Sequence, residues 1–244
     1  VVVRVRPLGE GRGERGDRVE VLPRTGQISI KAGRSERESD HDFTFERVCD
    51  ADESNERLLD SVGRPLVESV CAGYNGTLFA YGQTGSGKTY TIGEMSKLDT
   101  PHEGVAHRMV RHLYAHAMGL RPKQFRVSVQ FVQIYVENVH DLLAEPNPRD
   151  GLASSGTKLQ LREDKAQGVY VEGASSIAAA SADECLEVLQ RASKNLKFAA
   201  TRMNRQSSRS HAVCRLLVEI HHASNEGSMD RMDSDEGVSP VDAA

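Results

Sequence analysis

Eight consecutive residues, Gly82-Gln83-Thr84-Gly85-Ser86-Gly87-Lys88-Thr89, have the types and spacing to hold a string of phosphates. They read G-x-x-x-x-G-K-T. Glycines let a backbone curl until several N–H groups converge on phosphate oxygens. A helix that opens at the end of such a loop adds its partial positive charge. Lys88 would reach the outer phosphates, and the Thr89 hydroxyl would supply an oxygen to Mg²⁺. With Gly at about 7% of residues, four fixed positions match by chance in a chain this long on the order of 1% of the time.

A second stretch, Asn204-Arg205-Gln206-Ser207-Ser208-Arg209-Ser210-His211, is equally unusual. Adjacent hydroxyls, preceded by an amide and followed by an arginine, are an odd choice for a core. Two readings stand. One is a solvated, serine-rich loop. The other is a switch segment whose hydroxyls complete a Mg²⁺ shell and orient water at a terminal phosphate, with the arginine as a latch. Other chemistry has less support. Cys49, Cys71, Cys185 and Cys214 are scattered without metal or disulfide spacing and read as buried, reduced thiols. His112 and His116 stand one helical turn apart but have no third ligand type near them in sequence, so no metal site is read there.

The elements around these residues follow from periodicity. Thr77-Leu78-Phe79-Ala80-Tyr81 is β-branched and aromatic, so a buried strand is expected to lead into the phosphate loop. Residues 1–7 read as a strand ended by Pro7. Residues 18–22 and 27–31 read as a hairpin about Pro23-Arg24-Thr25-Gly26. Leu58, Leu59, Val62, Leu66, Val67 and Val70 give residues 54–71 one apolar helical face, with a kink expected at Gly63 and Pro65. The helix after Thr89 is expected to be short. Residues 105–118 resume helical character, and 125–135 alternate with both faces largely apolar, as in a central strand covered on two sides. Two strands, 158–162 and 169–172, flank a polar turn. Ser181-Ala182-Asp183-Glu184 is a capping box for a helix that carries Leu186, Leu189, Ala192 and Leu196. Residues 212–220 form a nearly continuous apolar strand. Strands alternating with helices beside a phosphate loop give an α/β fold of the P-loop NTPase type, with a central, mostly parallel sheet flanked by helices.

The chain has 244 residues, 38% hydrophobic and 27% charged, with net charge −4. That is enough to bury a sizeable core. Residues 223–244 hold six acids and one base, which leaves the remainder at +1. A near-neutral body predicts no nucleic-acid partner. No apolar run approaches the ~20 residues of a membrane span, and no signal peptide is visible. The first residue is Val and already sits in a strand-like run, so a fragment is expected at the N-terminus.

The sequence resembles a kinesin motor domain. The matching pieces are Arg4-Val5-Arg6-Pro7, Tyr74-Asn75-Gly76-Thr77-Leu78-Phe79-Ala80-Tyr81 running into the 82–89 loop and Tyr90-Thr91, Ile134-Tyr135-x-Glu137 with Asp141-Leu142-Leu143, and Asn204-x-x-Ser207-Ser208-Arg209-Ser210-His211. They occur in the family's order across residues 1–222. The resemblance implies that the ligand is ATP with Mg²⁺. Arg4 and Pro7 would flank the adenine, with Tyr90 against its other side. Gly82, Gln83, Thr84, Gly85, Ser86, Gly87, Lys88 and Thr89 would cradle the phosphates. Thr89 and Ser208 would hold Mg²⁺, Asn204 and Ser207 would order the γ-phosphate and its water, and Arg209 would latch the switch. It also implies a microtubule-stimulated ATPase that moves on microtubules in the cytoplasm, and a homodimer through a coiled coil outside this chain.

Some expectations concern departures. The family's D-L-A-G-S-E motif is not found, so residues 1–222 are expected to be a partial motor domain, with 223–244 an acidic, disordered tail or loop. A sheet without the strand that follows in the family is expected to expose apolar edges. Arg162 and Lys165, at the turn of the 158–172 hairpin, are the candidate contacts for acidic tubulin. Gln133, Val136 and the run Val105-Ala106-His107-Arg108 differ from the family's preferences. Two alternatives remain. One is a kinesin-like module that binds nucleotide or microtubules without turnover. The other is an unrelated P-loop NTPase, in which residues 207–211 would be a coincidence.

Overall fold

The computed structural model describes residues 1–7, 18–32, 39–94, 103–121, 123–144, 159–165, 168–202 and 210–221. The expectations for Asn204, Ser207, Ser208 and Arg209 and for the 223–244 tail fall outside them.

The N-terminal strand β1 (Val2–Arg4) stops short of Pro7 and pairs in parallel with β5 (Arg47–Cys49), Val2 lying opposite Arg47. Between them, β2 (Val19–Leu22) and β3 (Gln27–Ile30) form the expected hairpin. The strand β4 (His41–Thr44) adds antiparallel to β3. The helix expected over 54–71 starts where it should: the Ser54 hydroxyl accepts from the Arg57 N–H at 3.2 Å. The chain winds as α1 (Asn55–Leu58), then a wider π turn (Leu59–Gly63), then α2 (Arg64–Cys71). The break falls at Gly63, and Pro65 lands in the first turn of α2, where a missing N–H costs nothing.

The main core lies between α4 (Val105–Gly119), β6 (Gln124–Tyr135) and α5 (Ala182–Arg202). Val110, Leu113, Tyr114 and Ala117 from α4 meet Val127, Val129 and Phe131 from β6 and Leu186, Leu189 and Ala192 from α5. The helical contributors recur every three or four residues and the strand contributors every second one, so each element buries one face. On the opposite face of β6, Val132 is buried as its alternation suggested, while Ser128, Gln130 and Ile134 are half-buried. The Tyr114 hydroxyl donates to the Ala179 carbonyl at 2.9 Å and ties α4 to β10 (Ile177–Ala179). The α5 cap departs slightly from the expected box. The Ser181 hydroxyl accepts from Glu184 N–H, but the Glu184 carboxylate accepts from Ala180 N–H.

β6 is central, with β10 on one side and β11 (Ser210–His221) on the other. The strand β7 (Asn138–Asp141) folds back on its end through Val136 and Glu137, both at positive φ. The mostly parallel order expected of the sheet is met by β1 and β5; the strands about β6 are antiparallel. A two-residue turn can join only antiparallel neighbours, whereas a parallel pair needs a long crossover such as the 42-residue excursion between β1 and β5. The hairpin of β8 (Gln160–Asp164) and β9 (Gly168–Glu172) forms a separate two-stranded sheet.

The expectation of a buried strand at 77–81 is corrected. These residues pair with no strand among those described, and Phe79 and Tyr81 are 79% and 94% exposed. Composition suited them to a strand, but a strand is a pairing and needs a neighbour. Leu78 packs against the small cluster of Cys49, Leu58 and Val105. β11 likewise has β6 on one edge and no described strand on the other, and it leaves Val213 and Leu217 exposed. The expected apolar edges are therefore present. Among the described residues, no helix is long and apolar enough to cross a membrane.

One core residue carries a pH dependence. His107 is fully buried on α4, and neither ring nitrogen has a hydrogen-bond partner. Burial holds its proton affinity below the usual histidine value, with Glu103 opposing and Arg111 and Arg108 reinforcing the shift. His140 is shifted the same way by burial. In the unfolded chain these histidines take protons below about pH 6.5. The unfolded state then binds more protons, so the stability present above that pH is lost as pH falls through the folded values. Urea unfolding midpoints are expected to drop between pH 7.5 and 5.5, and to drop less in His107→Met. An equal drop in the variant would show that His107 does not contribute.

Candidate functional site

The 82–89 stretch folds as a tight loop that opens α3 (Lys88–Ile92). The Ser86 N–H donates back to the Gln83 carbonyl at 3.2 Å. Gly87 precedes the helix with φ of 100°, a left-handed value that a side chain resists. At Gly82, φ is 155°, and a Cβ would come within 2.5 Å of the Ser86 hydroxyl. Both positions require glycine, and they produce the curl that backbone cradling of an anion needs.

Two cations hold the carbonyls of this loop. Lys88 Nζ donates to the Gly82 and Gln83 carbonyls at 2.7 and 2.8 Å. Arg6 Nη1 donates to the Gly85 carbonyl, and its Nε to the Pro7 carbonyl at 3.4 Å. Negative ends of the loop's peptide dipoles are thus engaged by positive side chains. Beyond it, the Thr91 N–H bonds the Gly87 carbonyl and the Gly93 N–H the Thr89 carbonyl, which locks the short helix. The Thr89 side chain is exposed at the start of α3. The glycine cradle, the ammonium group and an exposed hydroxyl oxygen form a donor set that fits polyphosphate with Mg²⁺.

Arg4 and Tyr90, expected on opposite sides of an adenine, lie against each other: the guanidinium carbon is 4.9 Å from the ring centroid. Arg4 is held there by Asn55 Oδ1 at 2.6 Å, Thr91 Oγ1 at 3.0 Å and the Glu53 carbonyl at 2.6 Å. Asn55 is buried, and its amide donates to the carbonyls of Tyr90 at 3.2 Å and Glu103 at 3.1 Å. One asparagine therefore joins β1, α3 and the start of α4. Pro7 is exposed beside Arg6. Gln83 and Thr84 are exposed on the outside of the loop.

Sequence reasoning passed over two residues of this site. Arg6 shares a two-residue period with Arg4, which could have marked it. Asn55 had no signal of its own, because after Ser54 it reads as the first residue of a helix.

The other expected surface is only partly cationic. Arg162 pairs across its hairpin with Glu172 at 2.9 Å, so its charge is balanced, while Lys165 stands at the exposed turn.

A family model described as the kinesin motor domain matches residues 4–238. Kinesin-like protein KIF3C of Bos taurus is 33% identical over 231 residues, which cover 93% of this chain and 28% of that protein. Kinesin-like protein KIF15 of Homo sapiens is 41% identical over 192 residues, covering 75% of this chain and 13% of that one. The solved structure of a fast kinesin aligns with a TM-score of 0.75 at 31% identity, over 89% of this chain and 58% of that chain. This chain thus spans less than a third of the length of either of these two curated relatives.

Proposed function

The chain belongs to the kinesin motor domain family, and on that premise we propose that it binds ATP with Mg²⁺ and hydrolyses it as part of a microtubule motor. The observation that carries this reading is the 82–89 loop, with its two obligatory glycines and Lys88 folded over its carbonyls. Lys88 exchanges those carbonyls for phosphate oxygens. The loop N–H groups and α3 take the remaining negative charge. Arg4 and Tyr90 part to admit the adenine, and the Asn55 network keeps both within reach of it. When bound through Thr89 and Ser208, Mg²⁺ neutralises charge on the outer phosphates. Asn204 and Ser207 position the attacking water, and Arg209 closes the switch. Positioning and charge stabilisation supply the catalysis.

The proposal extends to movement along microtubules and to homodimerisation through a coiled coil outside these residues. The fast kinesin's structure is described as having implications for ATPase mechanism and interactions with microtubules. Lys165 at the exposed β8–β9 turn is the described cation best placed to meet acidic tubulin. The test is an equilibrium titration of the chain with a fluorescent ATP analogue, with and without Mg²⁺, followed by ATP turnover with and without microtubules. Saturable binding that ATP competes away and Mg²⁺ strengthens is expected. A chain that binds no nucleotide would overturn the reading, and binding without turnover would leave only the module that does not hydrolyse.

A further inference from the structure

The two histidines of α4 acquire in space the third ligand type that they lack in sequence. His112 and His116 lie one turn apart, with ring centroids 5.7 Å apart. Glu68, on the neighbouring α2, reaches the same spot, and one ligand atom from each of the three lies within 4.8 Å of the others. We propose that Glu68, His112 and His116 form a site for a zinc-class divalent cation that clamps α2 to α4.

Three observations carry the proposal. The first is ligand chemistry. Two imidazoles and one carboxylate suit a borderline transition cation and leave a position for water, whereas Mg²⁺ and Ca²⁺ prefer all-oxygen sets. The second is spacing. His112 Nε2 and Glu68 Oε1 are 3.9 Å apart, too far for a hydrogen bond. Zinc bonds of about 2.0–2.2 Å at a tetrahedral angle separate two ligand atoms by about 3.4 Å, so this pair closes by about 0.5 Å, and the three atoms, now within 4.8 Å of one another, draw together by side-chain rotation of Glu68 and His116. The third is an unmet need. His112 Nε2 is buried and has no hydrogen-bond partner, which a native fold rarely leaves uncompensated.

A competitor sits at the same histidine. Arg64 Nη1 lies 3.1 Å from His112 Nδ1. A guanidinium only donates, so Nδ1 accepts and the ring proton sits on Nε2. To ligate through Nε2, His112 takes the other tautomer and Arg64 withdraws to Asp60, which its Nε already holds at 2.7 Å. The clamp matters because of what its helices support. α2 hands the chain to the segment entering the phosphate loop. The other end of α4 abuts the exit of α3, where a Cβ on Gly93 would lie 2.4 Å from His107 Nδ1.

The test is a titration of the whole chain with Zn²⁺ by calorimetry, with Co²⁺ as a spectroscopic probe. A single saturable site with visible d–d bands, not competed by millimolar Mg²⁺, is expected. His116→Ala and Glu68→Gln, both away from the core, should each weaken it by at least about tenfold. Arg64→Gln should tighten it. Far-UV circular dichroism of each variant confirms that the fold persists. No saturable binding would overturn the proposal, as would binding that persists unchanged in both ligand variants or weakens in Arg64→Gln.

Discussion

Lys88→Ala is expected to weaken nucleotide binding by about 10- to 150-fold, the range given by losing one charge-assisted hydrogen bond worth about 1.5–3 kcal/mol. The side chain now spans the loop to the Gly82 and Gln83 carbonyls. Both are local contacts at a half-exposed residue, so their loss should barely move the unfolding midpoint. Binding and stability are thereby separated, and a titration with a fluorescent ATP analogue reads the first while urea unfolding reads the second. Lys88→Arg makes a sharper control. It keeps the charge but replaces a compact ammonium with a planar fork that the curled loop was not shaped for. If electrostatic attraction alone matters, arginine restores affinity. If the ammonium must fit among loop carbonyls, it does not. Unchanged affinity in Lys88→Ala would refute the role given to the loop.

The parts of this molecule that were legible in the sequence are those whose information is local. The phosphate loop is a run of eight residues whose glycines have individual backbone reasons to be there. α4, α5 and β6 each bury a face, so their apolar residues recur at 3.6 or 2. Three-residue strands such as β5 and β10 are too short to show a period. The β6–β7 turn uses Val136 and Glu137 at positive φ, residues that give no turn signal. The 77–81 segment shows the converse. Its composition favours a strand, and nothing in a composition states whether a neighbour is present. Side-chain convergence was the least legible. Glu68 and His112 are 44 residues apart and meet only because α2 packs on α4. Asn55 has one neighbour 51 residues before it and others 35 and 48 after it.

That asparagine is where the site and the fold are hardest to separate. Asn55→Ala is expected to destabilise the chain by about 2–4 kcal/mol, because it strands two carbonyls and part of a guanidinium where little water reaches. Lost volume could imitate this, so Asn55→Leu is the companion. It fills the space without the polar contacts and should be nearly as costly. Asn55→Asp keeps an acceptor for Arg4 but turns a carboxylate toward the carbonyls of Tyr90 and Glu103, and should also destabilise. The decisive measurement is a double-mutant cycle with Arg4→Met. Arg4 and Asn55 bond at 2.6 Å, so their effects should fall short of additivity by about 0.5–3 kcal/mol. Nucleotide affinity should fall in each single variant, because Asn55 holds the Tyr90 backbone and the Arg4 side chain in one place. Additive effects in urea unfolding would mean that Asn55 packs beside Arg4 without positioning it. Arg4 would then owe its place over Tyr90 to Thr91 and the Glu53 carbonyl alone.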